Sequence, residues 1–124
     1  MHEFFKSASE IYKVDKGWGH ELWIENVDKY CGKLLFFKKG KQCSYHYHLL
    51  KEETFYLQSG RILVTYGWDH DITKADTVIL NPGEKFHVPV GLVHRMKGLL
   101  KNNVLFEFST QHFDSDSIRI EKGD

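Results

Sequence analysis

Eight short segments dominate this chain: HELWIEN, KLLFFK, CSYHYH, ETFYLQ, RILVTYG, DTVILN, KFHVPV and NVLFEFST. Each is rich in aromatic and β-branched residues and is bounded by a break that contains glycine, proline or asparagine. No stretch between them carries the 3.6-residue period of an amphipathic helix. Such a chain is expected to be all-β, a compact antiparallel barrel or sandwich rather than a parallel sheet with crossover helices. Only EFFKSASEI near the start has room for a short helix, and GWDHDITKAD, the most polar stretch, reads as a hairpin loop. With 124 residues and no internal repeat, low-complexity tract or linker, the expectation is one domain over residues 1–124.

Charge narrows the range of partners. Lysine and arginine number 17, as do aspartate and glutamate, so no net field draws the chain to nucleic acid or to an anionic membrane. The first fifteen residues contain no apolar run of signal-peptide length, and no segment approaches the length of a membrane span. Cys31 and Cys43 lack the paired spacing of a zinc knuckle or a dithiol redox motif, and they read as free thiols of a cytoplasmic protein.

The stretch SYHYHLLKEE, residues 44–53, carries the chemistry. If residues 42–48 are extended, Ser44, His46 and His48 share one face while Cys43, Tyr45 and Tyr47 share the other. The Cα atoms of His46 and His48 then lie roughly 6–7 Å apart, which lets two imidazoles converge on one ion. Glu53 opens the next strand in alternation with Phe55 and Leu57, so its carboxylate points toward an apolar interior, where an unpaired charge is costly. A cation would compensate it. Glu52 is expected to face solvent.

A second cluster, GEKFHVPVGLVHRMKG, places Gly83, Pro89, Gly91 and His94 at fixed intervals, as the first places Gly40, His46, His48, Glu53 and Gly60. Together, with 22 residues between them (61–82), these spacings resemble the two signature motifs of the cupin superfamily. The resemblance implies a single-domain double-stranded β-helix, or jelly-roll, barrel in which His46, His48, Glu53 and His94 bind one metal ion inside one mouth. The superfamily's usual asparagine four residues after the last histidine is Gly98 here. Independently of the family, Gly40, Gly60, Gly83 and Gly91 stand where strands reverse and positive φ is needed, and Pro89 suits a strand end. Three imidazoles and a carboxylate suit one divalent transition metal ion, Fe, Mn, Co, Ni, Cu or Zn, rather than calcium. In an octahedral shell, four protein ligands leave two positions open for water or substrate.

A narrower resemblance covers most of the chain. KGWGHELWIEN, the two motif regions and the tail EFSTQHFDSDSIRIE look like the C-terminal isomerase domain of type II phosphomannose isomerase / mannose-1-phosphate guanylyltransferase. Trp18, Gly19, Lys51, Glu53, Pro82, Gly83, Pro89, Gly91, His94, Arg95, Glu107, Thr110, Ile118 and Glu121 fall on that pattern. The family usually has glutamine where this chain has His46, and arginine where it has Lys51. A lysine cannot reproduce a bidentate guanidinium contact. The upstream nucleotidyltransferase domain and its glycine-rich phosphate-binding loop are not in this sequence, so guanylyltransfer is not expected.

The resemblance implies an aldose–ketose isomerase acting on a small-molecule substrate, a carbohydrate such as a sugar phosphate. That chemistry needs a base beside two adjacent sugar carbons and positive charge near the developing oxyanion. Glu107, on a strand face with Leu105 and Ser109, is the candidate base. Lys51 and Arg95, which flank the motifs, are candidates to meet a phosphate. The same ion also fits an iron(II) dioxygenase of small aromatic or diketone compounds, or a non-catalytic metal- or sugar-binding module. The remaining histidines, His2, His20, His70, His87 and His112, read as satisfying local hydrogen bonds or facing water. The aromatics Phe36, Phe37, Phe55, Tyr56, Phe86, Phe106 and Phe108 read as core or sheet packing. A homodimer is expected because small open barrels tend to cover their edges by pairing.

Overall fold

A computed structural model describes residues 3–124, so the expectation for His2 lies outside the described residues. The strands are β1 (Tyr12–Lys16), β2 (Gly19–Asn26), β3 (Cys31–Lys38), β4 (Tyr45–His48), β5 (Glu53–Ser59) and β6 (Ile62–Gly67), followed by β7 (Asp76–Leu80), β8 (Lys85–Val88), β9 (Val93–Gly98), β10 (Asn102–Ser109) and β11 (Ser117–Glu121). They pair antiparallel in two sheets, one in the order β1-β2-β3-β10-β5-β8 and the other in the order β11-β4-β9-β6-β7. From β3 to β6, and again from β7 to β11, every connection crosses from one sheet to the other, which is the winding of a jelly roll. The all-β expectation holds. EFFKSASEI yields one 3-10 turn, Ala8–Glu10, and GWDHDITKAD joins β6 to its partner β7 through a second, Ile72–Lys74. No helix among the described residues is long and apolar enough to cross a membrane.

Three strands did not stand out in the sequence. β1 (YKVDK) and β11 (SIRIE) lie at sheet edges and are largely exposed, so they lack the apolar alternation that marks a half-buried strand. β9 (VHRMKG) hides its alternation because a histidine and an arginine are both buried on it.

Three neighbouring strands set the interior. The inward residues are Lys33, Leu35 and Phe37 on β3, Glu53, Phe55 and Leu57 on β5, and Asn103, Leu105 and Glu107 on β10. β10 runs antiparallel between the other two, with Glu107 opposite both Lys33 and Phe55 and Leu105 opposite both Leu35 and Leu57. The leucines and Phe37 therefore gather toward one end with Ile62, Val64 and Met96, and the charged residues toward the other. Phe106 and Phe108 point outward and stack, with Tyr56 beside Phe106.

The four reversal glycines of the motifs, Gly40, Gly60, Gly83 and Gly91, all have φ between 77° and 91°. Gly60 is the most constrained, because a Cβ there would lie 2.5 Å from both the Asn102 carbonyl oxygen and Asn103 Oδ1. Asn103 is itself a structural tie. Its Oδ1 accepts from the amides of Arg61 and Leu100, and its Nδ2 donates to the carbonyls of Phe37 and Leu100. Gly98 leaves room for this amide, since a Cβ there would stand 2.7 Å from Asn103 Nδ2. Gly83 shares the positive φ but has open space around it. Gly83→Ala should cost about 1–2 kcal/mol of backbone strain, and Gly60→Ala clearly more; urea midpoints of the two variants measure the difference.

Candidate metal centre

Pairing of β4 with β9 sets His46 directly opposite His94, and His48 follows two residues along β4 on the same face. One ring nitrogen from each of His46, His48 and His94 lies within 4.8 Å of the other two. The second nitrogen of the His46 and His94 rings is engaged elsewhere. His46 Nδ1 donates to the Ser44 carbonyl at 2.9 Å, and His94 Nδ1 donates to the Leu92 carbonyl at 3.0 Å. His48 Nδ1 faces the buried Asp116 carboxylate at 3.5 Å. Carbonyl oxygens only accept, so the Nδ1 protons are fixed and the Nε2 lone pairs of His46 and His94 are free to converge on an ion.

Glu53 completes the set. Its carboxylate is 2 % exposed, and Oε2 lies 3.2 Å from His48 Nε2 and 3.0 Å from His94 Nε2. Nevertheless Oε2 has no hydrogen-bond partner. With the His94 proton held at Nδ1, a carboxylate oxygen faces an imidazole lone pair in a buried site. A cation between them makes that arrangement favourable. The donor set thus fits one transition metal ion with nitrogen and oxygen ligands. Burial works against the Glu53 charge, but the Lys51 ammonium beside Oε1 favours it, and the carboxyl lies well below the usual carboxylate range.

Beside the ligands runs a buried charged network. The Lys51 ammonium, 3 % exposed, reaches Glu53 Oε1 at 3.3 Å, Glu107 Oε2 at 2.6 Å and His112 Nδ1 at 3.1 Å. Burial opposes its charge, yet the carboxylates of Glu107 and Glu53 more than offset this and raise its pKa. His112 Nε2 bonds Asp114 Oδ1 at 2.8 Å at the protein surface. Burying a charged group costs several kcal/mol after relaxation, whereas a buried leucine returns about 1.5–3 kcal/mol. Stability alone therefore does not account for placing Lys33, Lys51, Glu53 and Glu107 together inside a barrel this small.

A cavity of about 460 Å³ opens over this centre. His46, His48, Glu53, His94, Lys51 and Glu107 all line it, with Trp18, Leu35, Phe37, Phe55 and Met96 as apolar wall. Of the sequence candidates, Arg95 is the one not brought there. It lies beside His94 on β9 but with its side chain elsewhere, Nε donating to the Cys43 carbonyl and Nη2 to the Lys122 carbonyl, and it ties the tail to the barrel. Lys51, expected at a phosphate, is instead enclosed by two carboxylates and a histidine.

Other placements refine the sequence reading. β4 begins at Tyr45, so strict alternation does not reach Cys43, which lines the cavity instead of facing away from it. Tyr45 is buried on the far face, Tyr47 stacks on His70, and Glu52 is exposed beside His87, as expected of a solvent-facing residue. Phe37 and Phe55 lie in the core. His112 satisfies local hydrogen bonds, but it does so on the cavity wall. Asp116 lies outside both motifs. Its Oδ1 accepts from the amides of Leu49 and Leu50 and its Oδ2 from Lys51, so it fixes the loop after β4 while facing the His48 ring. Its only trace in the sequence is the acidic run DSDS in the tail.

The fold is that of the cupin barrel. It is shared with the capsular polysaccharide assembling protein CapF from Staphylococcus aureus, at TM-score 0.79 and 19% identity over 90% of this chain and 34% of CapF. It is shared equally with oxalate decarboxylase from Bacillus subtilis, at TM-score 0.77 and 16% identity over 90% of this chain and 30% of that one. KdgF from Halomonas sp. matches at TM-score 0.74 and 16% identity, over 90% of this chain and 97% of its own. The chain thus spans about a third of CapF and of oxalate decarboxylase and nearly all of KdgF. No family model and no curated protein matches the sequence.

Two outcomes test the centre. Replacing His46 and His94 together with alanine should abolish bound metal, read by elemental analysis, while the circular dichroism stays that of a β protein. Asp116→Asn should weaken metal binding by about 10–100-fold through His48. For pH, burial above all, and then the neighbouring His94 and His48 imidazoles, push His46 from 6.5 down to about 3. Below pH 6.5 the unfolded chain takes up a proton that the folded chain refuses, so stability falls as pH drops from 6.5 toward 3. Thermal midpoints of the metal-free protein should show that slope, and His46→Gln should flatten it.

Proposed function

We propose that this chain is a metal-dependent enzyme acting on a small carbohydrate, an aldose–ketose isomerase of sugar phosphates in the manner of phosphomannose isomerase. The observation that supports the reading is the placement of Glu107 and Lys51 on the wall of the same cavity as the His46, His48 and His94 ring nitrogens. When bound, the ion supplies a Lewis acid for the sugar oxygens. Glu107 takes a proton from the carbon beside the carbonyl and returns it to the carbonyl carbon, while the hydroxyl proton passes to the former carbonyl oxygen. Lys51 holds the Glu107 carboxylate in place at 2.6 Å and adds positive charge near the sugar oxygens. Ser109 orients the same carboxylate, its hydroxyl donating to Oε2 at 3.1 Å.

The apolar wall of Trp18, Phe37, Phe55 and Met96 favours one other reading, an iron-dependent oxygenase of a small aromatic or diketone compound. Two further proposals accompany the main one. Free Cys31 and Cys43 support a cytoplasmic setting, and the outward aromatics Tyr56 and Phe108, 37 % and 55 % exposed, support a homodimer.

The test is turnover. Protein loaded with the metal found in it should convert mannose 6-phosphate to fructose 6-phosphate, and Glu107→Gln should lower kcat by about 100-fold or more with metal content unchanged. Oxygen consumption with iron would replace the isomerase by the oxygenase. Tight saccharide binding without turnover would make the chain a binding module.

A further inference from the structure

Two lysines are buried in the wall of the cavity, and they differ in how their charge is met. Lys51 is saturated, its ammonium in contact with Glu53, Glu107 and His112. Lys33 is 2 % exposed and makes no hydrogen bond to any described residue. The nearest carboxylate oxygen, Glu21 Oε1, stands 3.8 Å away and already receives the Trp23 indole N–H at 2.9 Å. The Trp23 ring lies under the ammonium at 4.0 Å, and a ring face attracts a cation without accepting its directional hydrogen bonds. Glu107, opposite Lys33 across the β3–β10 pairing, is committed to Lys51 and Ser109. Lys33 thus lines the cavity with its charge met only by Glu21 at 3.8 Å and the Trp23 ring.

A buried ammonium held only by a distant carboxylate and an aromatic face is a poor structural device and a good recognition device. We propose that Lys33 is the substrate-orienting cation of this site, binding an anionic oxygen group, phosphate or carboxylate, at one end of a ligand whose other end meets the metal centre. The inward row Phe55, Glu107, Lys33 and Trp23 crosses four neighbouring strands and sets the geometry. Glu107 lies between Lys33 and the β5 strand that carries Glu53, so a ligand spanning the two ends passes over the Glu107 carboxylate. Trp23 and Glu21 hold Lys33 in place from the other side. This assignment rests on reading the cavity as a substrate site, and it deepens the isomerase reading by giving its substrate an anionic anchor that neither Lys51 nor Arg95 supplies.

The test uses the metal-loaded full chain, with inorganic phosphate and acetate as binding probes in calorimetry and mannose 6-phosphate as substrate. Lys33→Met should weaken binding of the preferred anion by about tenfold or more, with metal content and thermal midpoint retained. Lys33→Arg, which keeps the charge, should recover most of it. If mannose 6-phosphate is turned over, Lys33→Met should raise KM with little change in kcat. Preference for phosphate over acetate, or the reverse, identifies the anionic group. Lys33-dependent anion binding without turnover sustains this inference and removes the isomerase. Turnover with KM and anion affinity unchanged in Lys33→Met sustains the isomerase and overturns this inference. Should Lys33→Met unfold, Lys33→Met combined with Glu21→Gln removes the stranded carboxylate and gives the same readout.

Discussion

The register of β10 between β3 and β5 governs the interior. Side chains alternate along a strand, so a slip of one residue would turn Glu107 outward and drive Phe106 and Phe108 into the barrel. The leucine row formed by Leu35, Leu57 and Leu105 opposes that slip, because each is almost wholly buried. Apolar packing at one end of the three strands therefore fixes where the charged residues fall at the other. Neither end is independent: the charges can be held in a dry wall because the leucines set the strands, and the cavity exists because charged side chains do not close over it as leucines would.

Electrostatic balance within that wall follows from who is paired with whom. Lys51 answers to two carboxylates at once, which sets Glu107 beside a fixed positive charge. Glu53 is shared between the ammonium on one oxygen and two imidazoles on the other. Such a network is favourable only when every member is satisfied, and Glu53 Oε2 is the member that an ion would satisfy.

Much of this was legible in the sequence, and the reasons for what was not are physical. The motif glycines and the alternation of β3, β5 and β10 are local properties, so the strands, the inward Glu53 and Glu107 and the reversals could be read from neighbouring residues. Asp116 and His112 acquire their roles only through partners far along the chain, Leu49 and Lys51 among them, and Lys33 through Trp23 across the β2–β3 pairing. Arg95 shows the converse. It stands next to His94 in sequence, yet strand alternation carries its guanidinium to the opposite face, where it holds the tail. Adjacency along a strand argues against a shared site, since consecutive side chains point apart.

The contact of Asp116 with the amides after β4 spans 65 to 67 residues. Contacts of such separation form late, because closing a long loop must precede any gain from them. His46 and His48 are also synthesised well before His94 and Asp116. A growing chain therefore displays two of its imidazoles while the third, and the carboxylate that faces His48, are still to come. Assembly of the three-histidine group waits for His94, and a chain halted before that point offers only His46 and His48 with Glu53 nearby.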